Sequence, residues 1–116
     1  MAAIENYDVV VVGYGAAGAS AAIEAADQGA KVLVLDLAFG GGASALSGGV
    51  VYAGGGTEQQ SSAGVNDSPE NMFKYLKQEV DGVVSDETLR RFTEQSPGMI
   101  KWLENFGVEF LSLIHI

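Results

Sequence analysis

The stretch DVVVVGYGAAG at residues 8–18 decides the fold of this chain. Its four consecutive valines are β-branched, which favours a strand and suits one that is buried on both faces of a parallel sheet. Glycines follow at positions 13, 15 and 18. The first allows a tight turn, the second lets the backbone approach a pyrophosphate, and the third lets a helix lie close to the strand. We therefore predict a strand, a glycine turn and the start of a helix.

The residues that follow complete a βαβ unit. An alanine-rich stretch from about Ala16 to Gln28 predicts a helix, and Gly29 is a typical C-terminal residue for it. Residues 31–35 predict a second strand, and Asp36 follows it, 18 residues after Gly18. About 20 residues separate these positions in dinucleotide-binding units, where the carboxylate binds a ribose hydroxyl. The fold class is therefore α/β, and the carboxylate disfavours the 2′-phosphate of NADP.

A second glycine-rich stretch, FGGGASALSGG at residues 39–49, is followed by GGGT at residues 54–57. Dense glycine prevents regular packing but lets backbone amides crowd a ligand, with Ser44 and Ser47 able to bind phosphate or ring heteroatoms. A flexible surface loop is the alternative interpretation. The first motif leaves the nucleotide open as well, because NAD and FAD both present an adenosine ribose and a pyrophosphate.

The two glycine motifs together carry a resemblance. Residues 7–36 followed by GGASALSGG at residues 41–49 resemble the start of the fumarate reductase and succinate dehydrogenase flavoproteins. SGGVVYAGGGT at residues 47–57 most resembles the 3-ketosteroid dehydrogenase branch, and the likeness extends to Phe110. The resemblance implies FAD, with its adenosine end on the first motif and the rest along the second. The implied cofactor-binding residues are Gly13, Gly15, Ala16, Ala17 and Gly18 at the pyrophosphate, Asp36 at the ribose, and Ala43, Ser44, Ser47, Gly48 and Gly49 along the remainder.

Two positions depart from the family pattern. Asp36 stands where relatives more often have glutamate, so its carboxylate is one methylene shorter. Ala43 stands where relatives often have Asn or Thr, so it offers only its backbone. Both departures concern individual contacts and leave the predicted fold unchanged.

The resemblance also implies an activity. It implies an FAD-dependent oxidoreductase acting on a CH–CH bond next to a carbonyl, with a steroid as substrate. Such chemistry needs a hydride acceptor and a protein base, and no residue of this sequence is assigned as that base. Three alternatives stay open: a fumarate reductase type of flavoprotein acting on an unsaturated dicarboxylate, an NAD-dependent dehydrogenase, and a non-catalytic nucleotide-binding module. The electron acceptor is left open.

The length of 116 residues, with only two strong core strands, is short for a complete doubly wound sheet. We expect residues 1–110 to be the N-terminal portion of a Rossmann-like FAD-binding domain, with an incomplete sheet followed by short helices, and inactive alone. The last residues, LSLIHI at 111–116, predict a non-native read-through tail. His115, the only histidine, is therefore given no catalytic role.

Composition excludes several classes of function. Fifteen acidic and six basic residues give a net charge of −9, which disfavours nucleic acid and anionic membranes as partners. The apolar runs are too short to span a membrane, and no signal peptide is visible. The absence of cysteine removes disulfides and thiolate metal sites, so no metal is expected. A cytoplasmic location is the corresponding expectation.

The second half of the sequence predicts helices. Residues 59–67 are polar and predict a loop. Serine caps and terminal glycines then predict three short helices, which run from Ser68 and Pro69 to Gly82, from Ser85 onward, and from Ser96 and Pro97 to Gly107.

Several side chains of this chain have both a structural and a functional interpretation. The aromatic pair Trp102 and Phe106 is more typical of a core than of a substrate platform. The arginines at 90–91 are more typical of a solvated face than of a dicarboxylate clamp. Tyr52 follows the second glycine motif. It is more typical of a structural tyrosine with a hydrogen-bond partner than of a residue that faces the flavin ring. Tyr14 is interpreted as a permissive position of the glycine turn.

Overall fold

The computed structural model describes residues 5–110. The predicted tail at 111–116 and His115 lie outside the described residues, and the boundary at residue 110 stays a prediction. The described residues pack as two compact units that meet in sequence between Val50 and Val51. Each unit has its own secondary structure and is described by itself.

The first unit is a βαβ arrangement, as predicted. Strand β1 (Val9–Val12) and strand β2 (Val32–Leu35) form a parallel two-stranded sheet, with Val9 opposite Val32 and Val12 opposite Leu35. Helix α1 (Ala16–Asp27) connects the strands and contacts both of them. Gly29, with φ of 88°, follows the helix in the left-handed conformation expected for its C-terminal glycine.

Burial of β1 differs from the prediction. Val11 faces the helix, because its Cγ1 lies 3.4 Å from where a Cβ on Gly18 would stand. Val10 and Val12 alternate with it and are 53% and 83% exposed. Among the described residues of this unit, α1 is the helix that covers the sheet, so the strand is covered on one face rather than two.

The second unit is helical. It contains α2 (Glu58–Ser62), α3 (Pro69–Val80) and α4 (Asp86–Asn105), and α3 packs against α4. Ser68 and Ser85 accept hydrogen bonds from the third amide of α3 and α4, as predicted for serine caps. The apolar core of this unit consists of Met72, Phe73, Leu89 and Ile100.

Two helix predictions in this unit were wrong. Residues 59–62, predicted to lie in a loop, belong to α2, because Thr57 and Gln60 form a reciprocal capping box at its start. The second and third predicted helices are one helix, α4, with Pro97 in its interior. Ser96 does not cap a helix: it is 1% exposed, and its hydroxyl accepts a hydrogen bond from the Gly54 amide at 3.0 Å.

The arginines at 90–91 differ from each other. Arg90 donates to Glu70 at 3.0 Å and its guanidinium lies 3.9 Å from the centre of the Phe73 ring, so it joins α4 to α3. Arg91 lies on the solvated face and faces Glu87 at 3.8 Å. The solvated-face interpretation therefore holds for Arg91, whereas Arg90 contacts both a carboxylate and an aromatic ring.

Candidate functional site

The first and third glycines of the fingerprint define the turn between β1 and α1. The Gly13 amide donates to the Leu35 carbonyl at 2.7 Å, and Gly13 has φ of 98°, a conformation that favours glycine. A Cβ on Gly18 would lie 1.9 Å from the Gly13 carbonyl oxygen. The third glycine is therefore required by close packing of α1 against the turn, which is the reason given for it from the sequence.

The N-terminus of α1 presents backbone amides to the space in front of the turn. Gly15 is the N-cap residue and has no side chain with which to cap the helix. The Ala16 amide donates to the Ser44 hydroxyl oxygen at 3.2 Å. The amides of Ala17 and Gly18 lie in the first turn, where a helix provides no carbonyl acceptor for them. These groups and the helix dipole make a site suited to an anion.

The start of the second glycine motif lies directly against this turn. The Gly41 amide donates to the Tyr14 carbonyl at 2.6 Å. A Cβ on Gly42 would lie 3.2 Å from the Gly15 Cα, so the two backbones approach each other closely. Gly42–Leu46 then forms a 3₁₀ helix that carries Ser44 to the head of α1. The motif is thus docked by specific contacts over this span and does not form the flexible loop considered as an alternative.

Asp36 lies beside the same turn at the end of β2. Its two carboxylate oxygens accept hydrogen bonds from the Tyr14 amide at 2.6 Å and from the Ala38 amide at 2.8 Å. The hydrogen bonds from Ala38 and then Tyr14 hold the pKa of the Asp36 carboxyl below its usual range. A carboxylate has about four lone-pair positions, so acceptor capacity is left for a ligand hydroxyl. Its role at a ribose stays a prediction.

An open cavity of about 350 Å³ lies at this junction. Three predicted residues line it, namely Gly15, Ala16 and Ser44. Sequence reasoning did not assign the other lining residues, which are Tyr14, Ala19, Gly41 and Ala45. Gly41 is required by close packing within this lining, since a Cβ on it would lie 2.7 Å from the Ala45 Cβ. The small residue at position 41, next to two other glycines, was the signal in the sequence.

The remaining predicted residues lie further along the chain. Ser47 ends the 3₁₀ helix, and its hydroxyl accepts a hydrogen bond from the Gly49 amide at 3.2 Å. A Cβ on Gly48 or Gly49 would meet no atom within 4 Å. Ala43 is exposed within the 3₁₀ helix. These four residues are not among those that line the cavity, and their contacts with a cofactor stay predictions.

Comparison with known proteins agrees with this geometry. The sequence profile of the family described as FAD binding domain matches residues 8–114. The chain belongs to this family. The predictions of an FAD-binding family, of its βαβ start and of a relationship to 3-ketosteroid dehydrogenases are confirmed.

The individual relatives are much longer than this chain. A 3-oxo-5-alpha-steroid 4-dehydrogenase from Comamonas testosteroni is 56% identical over 107 residues, which cover 90% of this chain and 20% of that protein. An NADH:fumarate oxidoreductase from Klebsiella pneumoniae (strain 342) is 38% identical over 109 residues, covering 92% of this chain and 12% of that protein. The crystal structure of 3-ketosteroid-delta4-(5alpha)-dehydrogenase from Rhodococcus jostii RHA1, in complex with 4-androstene-3,17-dione, superposes with a TM-score of 0.85. It is 46% identical, over 91% of this chain and 22% of that one. The chain thus spans about a fifth of the length of the two steroid enzymes.

The residues at the turn have the chemistry that a diphosphate and a ribose hydroxyl require. The glycines at the turn have no side chains, which leaves room for a diphosphate in front of the α1 amides. The Ser44 hydroxyl oxygen accepts from the Ala16 amide, and its hydrogen is available for donation. The ionised Asp36 carboxylate lies beside the same turn, and it is the kind of acceptor that a ribose hydroxyl requires. The amides at the start of α1 are therefore suited to an anionic ligand, and the Asp36 carboxylate is suited to a ligand hydroxyl.

The glycines at residues 54–56 have a different environment, within the second unit. The Gly54 amide donates to Ser96 at 3.0 Å, the Gly55 amide to Asp67 at 2.8 Å, and the Gly56 amide to Gln60 at 2.9 Å. The hydrogen bonds from Gly55 and then from Gln60 hold the pKa of the Asp67 carboxyl below its usual range. These backbone donors are all engaged by protein side chains.

Tyr52 lies just before this loop and is 55% exposed. Its ring stacks nearly parallel to the Phe92 ring, with centroids 6.5 Å apart. Burial raises the pKa of the Tyr52 phenol, and the residue lines a second cavity of about 220 Å³ together with Asp67 and Tyr75. Trp102 and Phe106 contact each other in a tilted arrangement at 4.8 Å, which is packing within α4 and its C-terminal cap.

Metal centres and membrane-spanning helices are two features for which the described part of the chain provides no candidate. No group of three or more His, Cys, Asp or Glu side chains within residues 5–110 is arranged to hold a metal ion. Within the same residues, none of the helices combines the length and the apolar character that crossing a membrane requires.

Proposed function

We propose that this chain is the cofactor-holding part of an FAD-dependent oxidoreductase that acts on a CH–CH bond next to the ketone of a steroid. The observation that carries the proposal is the 56% identity to a 3-oxo-5-alpha-steroid 4-dehydrogenase over 107 residues that include both glycine motifs. The superposition on a steroid-bound relative supports the same substrate class.

The cofactor is assigned to the junction of the two motifs. The amides of Ala17 and Gly18, with the hydroxyl of Ser44, bind the pyrophosphate, while Gly13, Gly15 and Ala16 shape the turn in front of it. Asp36 accepts from the adenosine ribose. Residues 43 and 47–49 follow the cofactor toward its flavin. The support for this assignment is the cavity at the head of α1 and the fixed carboxylate beside it.

Bound FAD supplies a two-electron acceptor for the hydrogen removed from the substrate. The residues of this chain bind and orient it. The lowered pKa of Asp36 keeps its carboxylate ionised, so it accepts hydrogen bonds and repels a 2′-phosphate. The dipole of α1 opposes the charge of the diphosphate. We assign no catalytic base among residues 5–110.

Reduction of an unsaturated dicarboxylate is the second candidate, favoured by the 38% identity to an NADH:fumarate oxidoreductase. That chemistry needs cations to hold two carboxylates. Arg90 donates to Glu70 and lies on the Phe73 ring, and Arg91 faces Glu87. The higher identity to the steroid enzyme, 56% against 38%, makes the steroid substrate the stronger proposal.

The test uses the full protein that carries this sequence. Purified protein is expected to be yellow from FAD, and anaerobic addition of a saturated 3-ketosteroid is expected to bleach the flavin absorbance. Dithionite-reduced protein mixed with fumarate is expected to stay reduced. Reoxidation by fumarate with no response to the steroid would establish the dicarboxylate alternative. Colourless protein that takes up no added FAD would refute both.

A paired substitution tests the assignment of Asp36. Asp36→Asn places an amide group where the carboxylate accepts from two backbone amides, and it removes the charge that a ribose hydroxyl would approach. The dissociation constant for FAD is expected to rise about tenfold. Asp27→Asn, at the exposed C-terminal end of α1, is the matched control and should bind FAD as the wild type does. Equal affinity in both variants would contradict the ribose assignment.

A further inference from the structure

We propose that Tyr14 is a positioning residue of the cofactor site, whose ring braces Gly40 and so holds Ser44 against the head of α1. The inference rests on the FAD site proposed above. It assigns a role to the variable position between the first two fingerprint glycines, which the sequence alone presents as permissive.

The backbone of Tyr14 is bonded on both sides. Its amide donates to Asp36 at 2.6 Å, and its carbonyl accepts from the Gly41 amide at 2.6 Å. One residue thereby connects the acidic end of β2 to the start of the second glycine motif. These two bonds place the backbone of Tyr14 between the two groups that would hold the ribose and the phosphates.

The ring adds a contact that the backbone does not provide. A Cβ on Gly40 would lie 2.3 Å from Cδ1 and 3.0 Å from Cε1 of Tyr14, so the ring occupies the place of a side chain on Gly40. Gly40 has φ of 83°, in the left-handed region. The ring therefore covers the backbone of Gly40, which has no side chain of its own and a left-handed conformation.

The braced segment leads directly to the cofactor-facing hydroxyl. Three residues separate Gly40 from Ser44, and the hydroxyl of Ser44 accepts a hydrogen bond from the Ala16 amide at 3.2 Å. Tyr14 is 47% exposed, and it also lines the cavity of about 350 Å³ at the start of α1. Loss of the ring is expected to free residues 40–44 and to cost affinity for the diphosphate rather than to unfold the βαβ unit.

The test measures the dissociation constant for FAD, by quenching of flavin fluorescence, in the full protein that carries this sequence. Tyr14→Ala is expected to raise this constant about tenfold, within the range that contacting residues contribute. Tyr14→Phe keeps the ring and is expected to bind as the wild type does. Tyr14→Leu, which retains apolar bulk without the ring, is expected to fall between them. Tyr75→Ala removes a tyrosine of similar exposure, 54%, from the second unit and is the matched control.

A double-mutant cycle separates bracing from general damage. Gly40→Ala introduces a Cβ that collides with the ring, as well as strain from the positive φ. The strain is present in both backgrounds and cancels in the cycle. Gly40→Ala is therefore expected to raise the FAD dissociation constant by a larger factor in the wild type than in Tyr14→Ala. The circular dichroism of the bound flavin should likewise change more in the wild-type background.

The outcomes distinguish this inference from the proposed function. Wild-type protein that binds no FAD overturns both. Wild-type protein that binds FAD, with equal dissociation constants for Tyr14→Ala, Tyr14→Leu and the wild type, overturns the role of Tyr14 alone. Equal factors for Gly40→Ala in the two backgrounds overturn it as well. If Tyr14→Ala does not fold, the Leu and Phe variants and the Gly40→Ala substitution decide between the same results.

Discussion

Two glycine-rich regions of this chain have similar sequences but differ in what surrounds their backbones. The first region combines the fingerprint turn, residues 13–18, with the glycines at 40–42; the second consists of the glycines at 54–56. In the first region the glycines let backbones approach each other, as where a Cβ on Gly18 would lie 1.9 Å from a carbonyl oxygen. In the second region consecutive amides donate to the side chains of Ser96, Asp67 and Gln60.

The difference lies in what accepts the backbone amides. Amides at the head of α1 face an open cavity and one serine hydroxyl, so donors there remain for a ligand. Amides of the second region are satisfied within the protein, which makes that loop a fixed part of the second unit. Glycine density alone therefore does not identify a ligand site; the acceptors around it do.

The largest expected effect is on close approach in the first region. Gly18→Ala places a methyl group 1.9 Å from the Gly13 carbonyl, and α1 can avoid it only by moving off the turn. We expect a loss of about 3 kcal/mol in the free energy of unfolding and loss of FAD binding, measured by urea titration and flavin fluorescence. Gly48→Ala, where a Cβ meets no atom within 4 Å, is the control for stability alone, because Gly48 is a proposed cofactor-binding residue. Equal stability of the two variants would remove the packing role of the third fingerprint glycine.

The next effect is on amide satisfaction in the second region. Ser96→Ala leaves the buried Gly54 amide without its acceptor, since Ser96 is 1% exposed and the bond measures 3.0 Å. An unsatisfied buried donor costs about 1–3 kcal/mol, which should appear in urea unfolding followed by the fluorescence of Trp102, the only tryptophan. Ser62→Ala, on the exposed face of α2, should change stability by less than about 0.5 kcal/mol. A Ser96 variant as stable as the Ser62 variant would contradict the importance of this bond.

A smaller effect is expected with pH. The Asp67 carboxyl has a lowered pKa, because the Gly55 amide and then Gln60 donate to its ionised form. A carboxyl with a lowered folded pKa stabilises the fold above its ordinary value of 3.8, and this contribution is lost as the pH falls from that value through the folded pKa. Unfolding monitored by Trp102 should show a decline in stability over this acidic range. Asp67→Asn should be less stable at neutral pH and should reduce the decline. An unchanged slope would show that Asp67 does not hold the loop.

Local signals were sufficient to predict most of the first unit. The valine run and the glycine spacing act on neighbouring residues, and Asp36 follows the second strand at the expected spacing, so the βαβ unit and its turn followed from the sequence. Docking of Gly41 and Gly42 on the turn did not follow, because it depends on which backbone lies opposite each glycine. The role proposed for Tyr14 did not follow from the sequence for the same reason.

Helix boundaries in the second unit show the limit of local rules. Ser96 and Pro97 have the sequence of a helix start, yet the serine side chain bonds a glycine amide 42 residues away. That partner is not visible from the local sequence. The short helix α2 was missed although Thr57 and Gln60 have capping-box spacing, because its five residues carry no apolar stripe.

The smallest prediction concerns a glycine that belongs to neither region. Gly98 lies inside α4, and a Cβ there would meet no atom within 4 Å. It makes no close approach and has no positive φ, so alanine should only reduce the freedom of the unfolded chain and improve helix propensity. Gly98→Ala is expected to stabilise the protein by about 0.5–1 kcal/mol in urea unfolding. A loss of stability instead would mean that Gly98, next to Pro97, relieves strain in the helix, and that a glycine outside the two regions also has a structural requirement.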